Sequence, residues 1–552
     1  MGVINDIAEQ YVVRMTELDP VLATGVGIAG HDHQLTDLSP AGFAARAELD
    51  RTTVAALTAA KTETERERVA RAAMLERLGL AVELYDAGET ASELNVIASW
   101  VQGVRQVFDL MPTEGEEAQR NIAARMAAVP AAYADLRQTY AEAAGRGRVA
   151  ARRQVIECAR QCAQWSAPGA GFYHGLVDRT GAAGALLADL RVAADAASAA
   201  TAELGKFLET ELLPLAPERD AVGRDRYALA SRSFLGAVID LDEAYAWGWG
   251  EVIRLEAEMA RVAGLIVPGG SVEEATAHLD GDPARQLNGA QNLRSWMQDF
   301  ADSTIAALHG THFDIPEPAR RIEAMIAPTS DGGIYYTGPS EDWTRPGRMW
   351  WTVPDGVEQF STWKEITTIY HEGVPGHHLQ VSQQVFEKQS LNRWQRLLCW
   401  VSGHGEGWAL YAERLMAELG YLADPGAMLG MLDAQLLRAA RVVVDLGVHL
   451  ELPIPADSRW HPGETWTAEL AWEFLRNRVH MDEEMLRFEL NRYLGWPGQA
   501  PAYKLGERIW LQARDEARQR KGAEFSLKDF HSQALALGAL GLDPLREALA
   551  RL

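Results

Sequence analysis

The segment Thr367-Thr-Ile-Tyr-His371-Glu372-Gly-Val-Pro375-Gly376-His377-His378-Leu-Gln380 holds three histidines and a glutamate within eight residues. Neutral imidazoles bind a divalent ion, and a carboxylate beside one of them faces the ion's water as general base, which is what a catalytic zinc requires. The common spacing is His-Glu-x-x-His, because residues four apart share a helix face. Here position 375 is proline, and the next histidines fall six and seven residues after His371. On a regular helix six residues turn by about 240°, to the wrong side, while seven return to the face but climb roughly 10 Å. Pro375 removes the amide that would bond to the carbonyl of His371, so the helix is expected to kink or widen there. A bulged turn would bring His377 round to the ion, with His378 the alternative. The contrary reading, a buried kinked helix with satisfied core histidines, fits poorly with so many ligand-type residues in so short a run.

A zinc site needs a third protein ligand, and Gly405-Glu406-Gly407-Trp408-Ala-Leu-Tyr411-Ala-Glu413-Arg414 offers two candidates. Glu406, flanked by glycines that permit close backbone approach, is the favoured ligand. Glu413, seven residues on, reads as an outer partner or an ion-pair residue for Arg414 or Arg441. Further on, Arg441, Asp445 and His449 recur every four residues on an otherwise apolar helix, where charge is costly unless paired. Asp445 would orient a ligand histidine and His449 would steady a transition-state oxyanion, or the three form a bracing network in the core. Tyr503, where a Gly/Pro-rich loop runs into a helix, is a second candidate donor to the oxyanion.

The elements carrying these residues read as helices. Through the first 310 residues, Ala-, Leu-, Glu- and Arg-rich segments place apolar residues at three- and four-residue intervals, broken by Pro168-Gly169, by the turn from Asp178 to Gly184 and by Pro268-Gly269-Gly270. One stretch is strand-like: Ile334–Thr337 and Arg348–Val353 are β-formers separated by Gly338-Pro339 and Pro346-Gly347, which predicts a small hairpin. Helical periodicity resumes at Thr362. The expected architecture is mainly α with one small sheet, a helical lobe over residues 1–320 and a zinc-site lobe over 321–552, joined as one continuous fold. Gly25-Val-Gly27-Ile-Ala-Gly30 matches a dinucleotide fingerprint in letters alone, since it follows a helix-like segment and no strand–helix–strand unit surrounds it.

Composition narrows the partners. Lys and Arg number 53 against 77 Asp and Glu, a net charge of −24, which disfavours nucleic acid and anionic membrane surfaces. The three cysteines, Cys158, Cys162 and Cys399, give no disulfide framework. With no signal-peptide pattern and no apolar run of membrane-spanning length, they lead to the expectation of a cytoplasmic protein. Twelve of the 17 tryptophans lie between Trp343 and Trp510, the stretch that holds every candidate site residue.

Taken together, Tyr-His-Glu-Gly-Val-Pro-Gly-His-His-Leu-Gln, Glu-Gly-Trp-Ala-Leu-Tyr-Ala-Glu, Arg-Ala-Ala-Arg-Val-Val-Val-Asp-Leu-Gly-Val-His and Pro-Gly-Gln-Ala-Pro-Ala-Tyr-Lys-Leu-Gly, in that order over residues 370–506, resemble the bacterial family catalogued as domain of unknown function 885. That family is similar to the helical zinc carboxypeptidases typified by carboxypeptidase Taq. The resemblance implies a helical fold with a deep cleft and a zinc at its floor. The motif of those relatives, His-Glu-x-Gly-His, aligns its Gly-His with Gly376-His377 after a two-residue insertion and so favours His377 over His378. The reading is a zinc peptidase: His371, His377 and Glu406 hold the ion, Glu372 is the general base, and Tyr503 or His449 steadies the oxyanion. A peptide would pair along the small sheet, and a terminal carboxylate would meet Arg345, Arg348 or Arg441. The alternatives are a zinc hydrolase of another amide or ester, and a non-catalytic helical binding protein.

Overall fold

Apolar spacing turns directly into buried helix faces. In Glu116–Gly145 the buried Ile122, Met126, Val129, Tyr133, Leu136, Tyr140 and Ala143 alternate steps of four and three. That stripe packs on Gly184–Phe207, which presents Leu190, Ala194, Ala197, Thr201 and Leu204 at the same steps. The computed structural model describes residues 2–327, 333–354 and 356–551. The chain forms two compact units, Met1–Val222 with Arg487–Trp496, and Gly223–Leu486 with Pro497–Leu552.

Among its described residues, every regular element of the first unit is a helix. Cys158 and Cys162 are fully buried in its core, and burial pushes the Cys162 thiol up to about 12, so they pack as small apolar groups. Gly25 ends a short helix, Pro20–Gly25, and Gly27 and Gly30 lie in the turn that follows, with no strand before them. Arg125 holds that loop, donating to the carbonyls of His31 and Gln34 and to the Thr24 hydroxyl. The segment therefore lacks the strand–turn–helix setting of a dinucleotide fingerprint.

The second unit carries every candidate site residue. Its central helix, Pro425–Leu450, is buried on nearly all sides, and Asp424 caps it by accepting from the Ala427 amide. It packs on Leu241–Ile266, where Gly248 lets the backbones close: a Cβ there would lie 2.8 Å from Val442 Cγ1. The helices Ser402–Glu418 and Ala502–Lys521 approach in the same way. A Cβ on Gly407 would meet Gly506 at 2.5 Å, and one on Gly506 would meet the Gly403 carbonyl oxygen at 2.1 Å.

The expected hairpin is present: Tyr335–Thr337 pairs antiparallel with Gly347–Trp351, Tyr336 opposite Met349. A third strand, Ile322–Ile326, lies parallel on the other side of Gly347–Trp351. Gln286–Asn288 and Gln359–Ser361 form a separate two-stranded sheet. The sequence reading missed both additions, because three- and five-residue strands are too short to display period-two alternation against a helical background. Among the described residues no helix is long and apolar enough to cross a membrane.

Candidate metal centre

The site begins with a helix that stops. Thr362–Glu372 ends at Glu372, and a new helix, His377–Phe386, starts five residues later. Pro375 lacks the amide a continuing helix needs, and the residue before a proline avoids the helical region. The outcome is a full break, not the bulge expected from the sequence. Gly376 donates to the Tyr370 carbonyl and His378 to that of Gly373, so the turn satisfies its own backbone. A Cβ on Gly376 would lie 1.9 Å from the His371 carbonyl oxygen and one on Gly373 2.6 Å from that of Ile369, so only glycine fits either position. Trp408, on the helix Ser402–Glu418, donates its indole N–H to the Pro375 and Gly376 carbonyls at 2.9 and 3.3 Å and pins the turn in place.

This break re-aims His377. The Nε2 atoms of His371 and His377 each lie 3.3 Å from Glu406 Oε2, and the three ligand atoms fall within 4.8 Å of one another. A tetrahedral ion with bonds of about 2.0–2.1 Å spaces its ligand atoms about 3.3–3.4 Å apart. Charge-assisted hydrogen bonds of this type are usually about 2.7–2.9 Å long. The two 3.3 Å separations are compatible with ligands around a common ion. His371, His377 and Glu406 are placed so that they could hold a metal ion.

His378 is turned elsewhere. Its Nδ1 meets the Tyr336 hydroxyl and its Nε2 the Ala319 carbonyl, both at 2.9 Å, and burial lowers its pKa to about 4. Both ring nitrogens are thus occupied away from the cluster.

Glu413 touches His371 from behind. Its Oε1 lies 2.7 Å from His371 Nδ1, and its Oε2 accepts from Thr367 Oγ1 at 2.6 Å. Burial pushes the Glu413 carboxyl up, but the bond from His371, the charges of Arg438 and His371 and the bond from Thr367 outweigh burial and hold it below its ordinary value. The expected pairing with Arg414 is not what forms, since Arg414 reaches Glu507 at 3.5 Å. Burial opposes a charge on His371, yet its bonds to Glu406 and Glu413 and the charge of Glu372 raise its pKa to about 9.

Glu372 is buried beside the cluster. Burial raises its pKa above the ordinary carboxylate range, opposed by His377 and His371, and its Oε2 has no hydrogen-bond partner among the described residues. A buried carboxylate with an open oxygen next to a potential ion site is equipped to accept a proton.

Tyr503 stacks on the His371 ring, centroids 6.5 Å apart and planes 17° from parallel. The Arg441 guanidinium lies 4.8 Å over the opposite partner of that stack, the Tyr503 ring. Asp445 accepts from the Tyr227 hydroxyl at 2.8 Å and the Gly498 amide at 2.9 Å, and the fully buried His449 stands 3.9 Å from it. Arg348 is tied to Glu323 at 2.8 Å, whereas Arg345 makes no ion pair among the described residues.

Three neighbours escaped the sequence reading. Tyr336 stacks on His377 at 6.5 Å, its hydroxyl within electrostatic reach of Arg345 and Glu372. Trp400 lies 6.0 Å from the same ring. His404 accepts from Gln380 at 3.1 Å and is kept neutral by burial, which lowers its pKa to about 3. Only the local density of tryptophan hinted at any of them.

Residues 20–549 match the family described as bacterial protein of unknown function (DUF885). The chain belongs to that family. Two solved structures share the DUF885 protein's fold. One, from Colwellia psychrerythraea and described as a putative lipoprotein, is 22% identical with a TM-score of 0.85, covering 99% of this chain and 98% of its own. The other, from Shewanella oneidensis, given the same description and said to be of unknown function, is 18% identical with a TM-score of 0.73 over 100% of both chains. At these identities the likeness concerns the fold. No curated protein matches the chain.

Proposed function

We propose that this DUF885 protein is a zinc-dependent peptidase that recognises a free substrate carboxylate, resembling helical carboxypeptidases of the carboxypeptidase Taq type. The observation that carries the reading is the convergence of His371, His377 and Glu406 on one point beside a buried Glu372 with an open oxygen. Two imidazoles and one carboxylate form a ligand set typical of catalytic zinc, which supplies Lewis acidity and lowers the pKa of water to about 7. Glu372 takes a proton from the water that attacks the scissile carbonyl. The C–O bond forms, the C–N bond breaks, and Glu372 passes the proton to the leaving amine.

Tyr503, stacked on His371, is the better placed donor to the oxyanion, and His449 is enclosed with Tyr227 and Asp445. Among the three arginines Arg345 is assigned the substrate carboxylate, because Arg348 is committed to Glu323 and Arg441 to the face of Tyr503. Asp445 is assigned to bracing the loop at Gly498.

Metal analysis combined with a peptide-cleavage assay of Glu372→Gln tests the reading. Retained zinc with cleavage reduced by about 10²–10⁴-fold supports it. Unchanged cleavage would sink it, and failure of the purified protein to take up zinc would favour a binding protein. The cysteine-poor composition supports cytoplasmic residence, whereas both structural neighbours are described as lipoproteins; cell fractionation decides the compartment for this chain.

A further inference from the structure

Trp400 is 52% exposed, although it touches the metal cluster. Its ring lies 6.0 Å from that of His377, tilted by 55°. It also abuts Gly405, where a Cβ would fall 2.4 Å from the indole. The residue before Glu406 must therefore be small for the indole to sit where it does. Trp408 and Trp510, nearby in the same unit, are fully buried. A tryptophan normally contributes its large apolar area to a core, and one held by a glycine contact while half its surface faces water offers that area to something else. Its indole N–H has no partner among the described residues, so no polar contact accounts for its position.

We infer that the exposed face of Trp400 is a substrate subsite that selects a large apolar or aromatic side chain next to the scissile bond. The inference rests on the peptidase reading for its choice of ligand. Ring contact with His377 places the indole within one side chain of the ion's position, the distance at which the residue flanking a scissile bond would lie. Aromatic side chains stack on indole at centroid separations of about 4.5–7 Å, and a bare apolar face gives a polar or small side chain little to bind. Discrimination by one such contact is of order ten- to two-hundred-fold.

The test uses zinc-loaded protein carrying Glu372→Gln, so that binding is read without cleavage. Benzoyl-glycyl-phenylalanine and benzoyl-glycyl-alanine, and a second pair varied on the other side of the bond, are titrated calorimetrically. The expected result is a preference of tenfold or more for phenylalanine on one side, reduced to near unity by Trp400→Ala and largely kept by Trp400→Phe. Bound zinc is measured in each variant; should Trp400→Ala lose it, Trp400→Leu carries the comparison. An unchanged preference in a zinc-retaining variant, or no preference in the parent, overturns the inference. Trp400-dependent binding of the phenylalanine peptide in a protein that never cleaves it would overturn the peptidase reading and leave the subsite standing.

Discussion

His371 Nδ1 lies 2.7 Å from Glu413 Oε1, and the second oxygen of that carboxylate accepts from Thr367 one helical turn earlier. One buried acid thus holds the ring plane of His371 and, in the neutral ring that metal binding requires, favours the tautomer protonated on Nδ1. With the proton on Nδ1, the lone pair of Nε2 faces Glu406 and the centre of the cluster. The arrangement explains why a second glutamate follows Glu406 on the same helix.

Glu413→Gln tests that dependence. The amide is nearly isosteric but uncharged, so metal affinity is expected to fall about 10–100-fold. Competition with a chelator of known affinity measures it. An affinity equal to that of the parent would mean that His371 is oriented by packing alone.

The helix break makes a contrasting pair of glycine substitutions. Gly376→Ala places a Cβ 1.9 Å from the His371 carbonyl oxygen, so it is expected to cost about 1–3 kcal/mol or more and to weaken metal binding. Gly250→Ala, in the interior of Leu241–Ile266 with nothing within 4 Å of the new atom, is expected to stabilise by about 0.5–1 kcal/mol. Denaturant melts of the two variants check both signs.

If Arg345 meets the substrate carboxylate as proposed, its removal acts mainly on carboxylate-bearing ligands. Arg345→Ala is expected to raise KM for peptides with a free C-terminus by about 10–100-fold, the loss of a charged hydrogen bond, and to leave C-terminally amidated peptides less affected. Arg348→Ala, which breaks the pair with Glu323, is expected to act on stability instead. Equal effects of Arg345→Ala on both peptide classes would remove it from substrate recognition.

In the first unit, burial raises the Asp50 carboxyl to about 6, against the bond from Tyr11 and the charges of Arg46 and Arg51. A folded-state pKa above the unfolded value favours folding most below the unfolded value of about 3.9, and that advantage is lost as pH rises through 6. Asp50→Asn removes the titration. Relative to the parent, the variant is expected to gain up to about 3 kcal/mol between pH 4 and 7, read from paired melts across that range. A flat difference would show that Asp50 ionises normally.

The candidate ligand cluster was legible because its residue types are rare together, and Glu406 stood out through its flanking glycines. The choice between His377 and His378 was not settled by residue spacing. It depends on whether the chain bulges or breaks at Pro375, and the bond from Trp408 that helps hold the break comes from 33 residues away. Glu413 was expected either as an outer partner or as an ion-pair residue, and its contacts with Thr367 and His371 were not legible, because those two residues declare a common face only once the helix is fixed. Asp445 carries the same lesson: its partner Tyr227 is 218 residues earlier, a separation no local pattern records. Tyr336 and Trp400 were missed since an aromatic residue reads alike in a core and beside an ion.

Where Gly407 meets Gly506, the helix bearing Glu406 and the helix bearing Tyr503 touch backbone to backbone, with no side chains between them to compress or slide. The spacing of these two helices at this point is thereby set by backbone contact. In the proposed role of Tyr503 as donor to the oxyanion, any change in the reach of its hydroxyl would come from rotation of its own side chain rather than from sliding of these two helices.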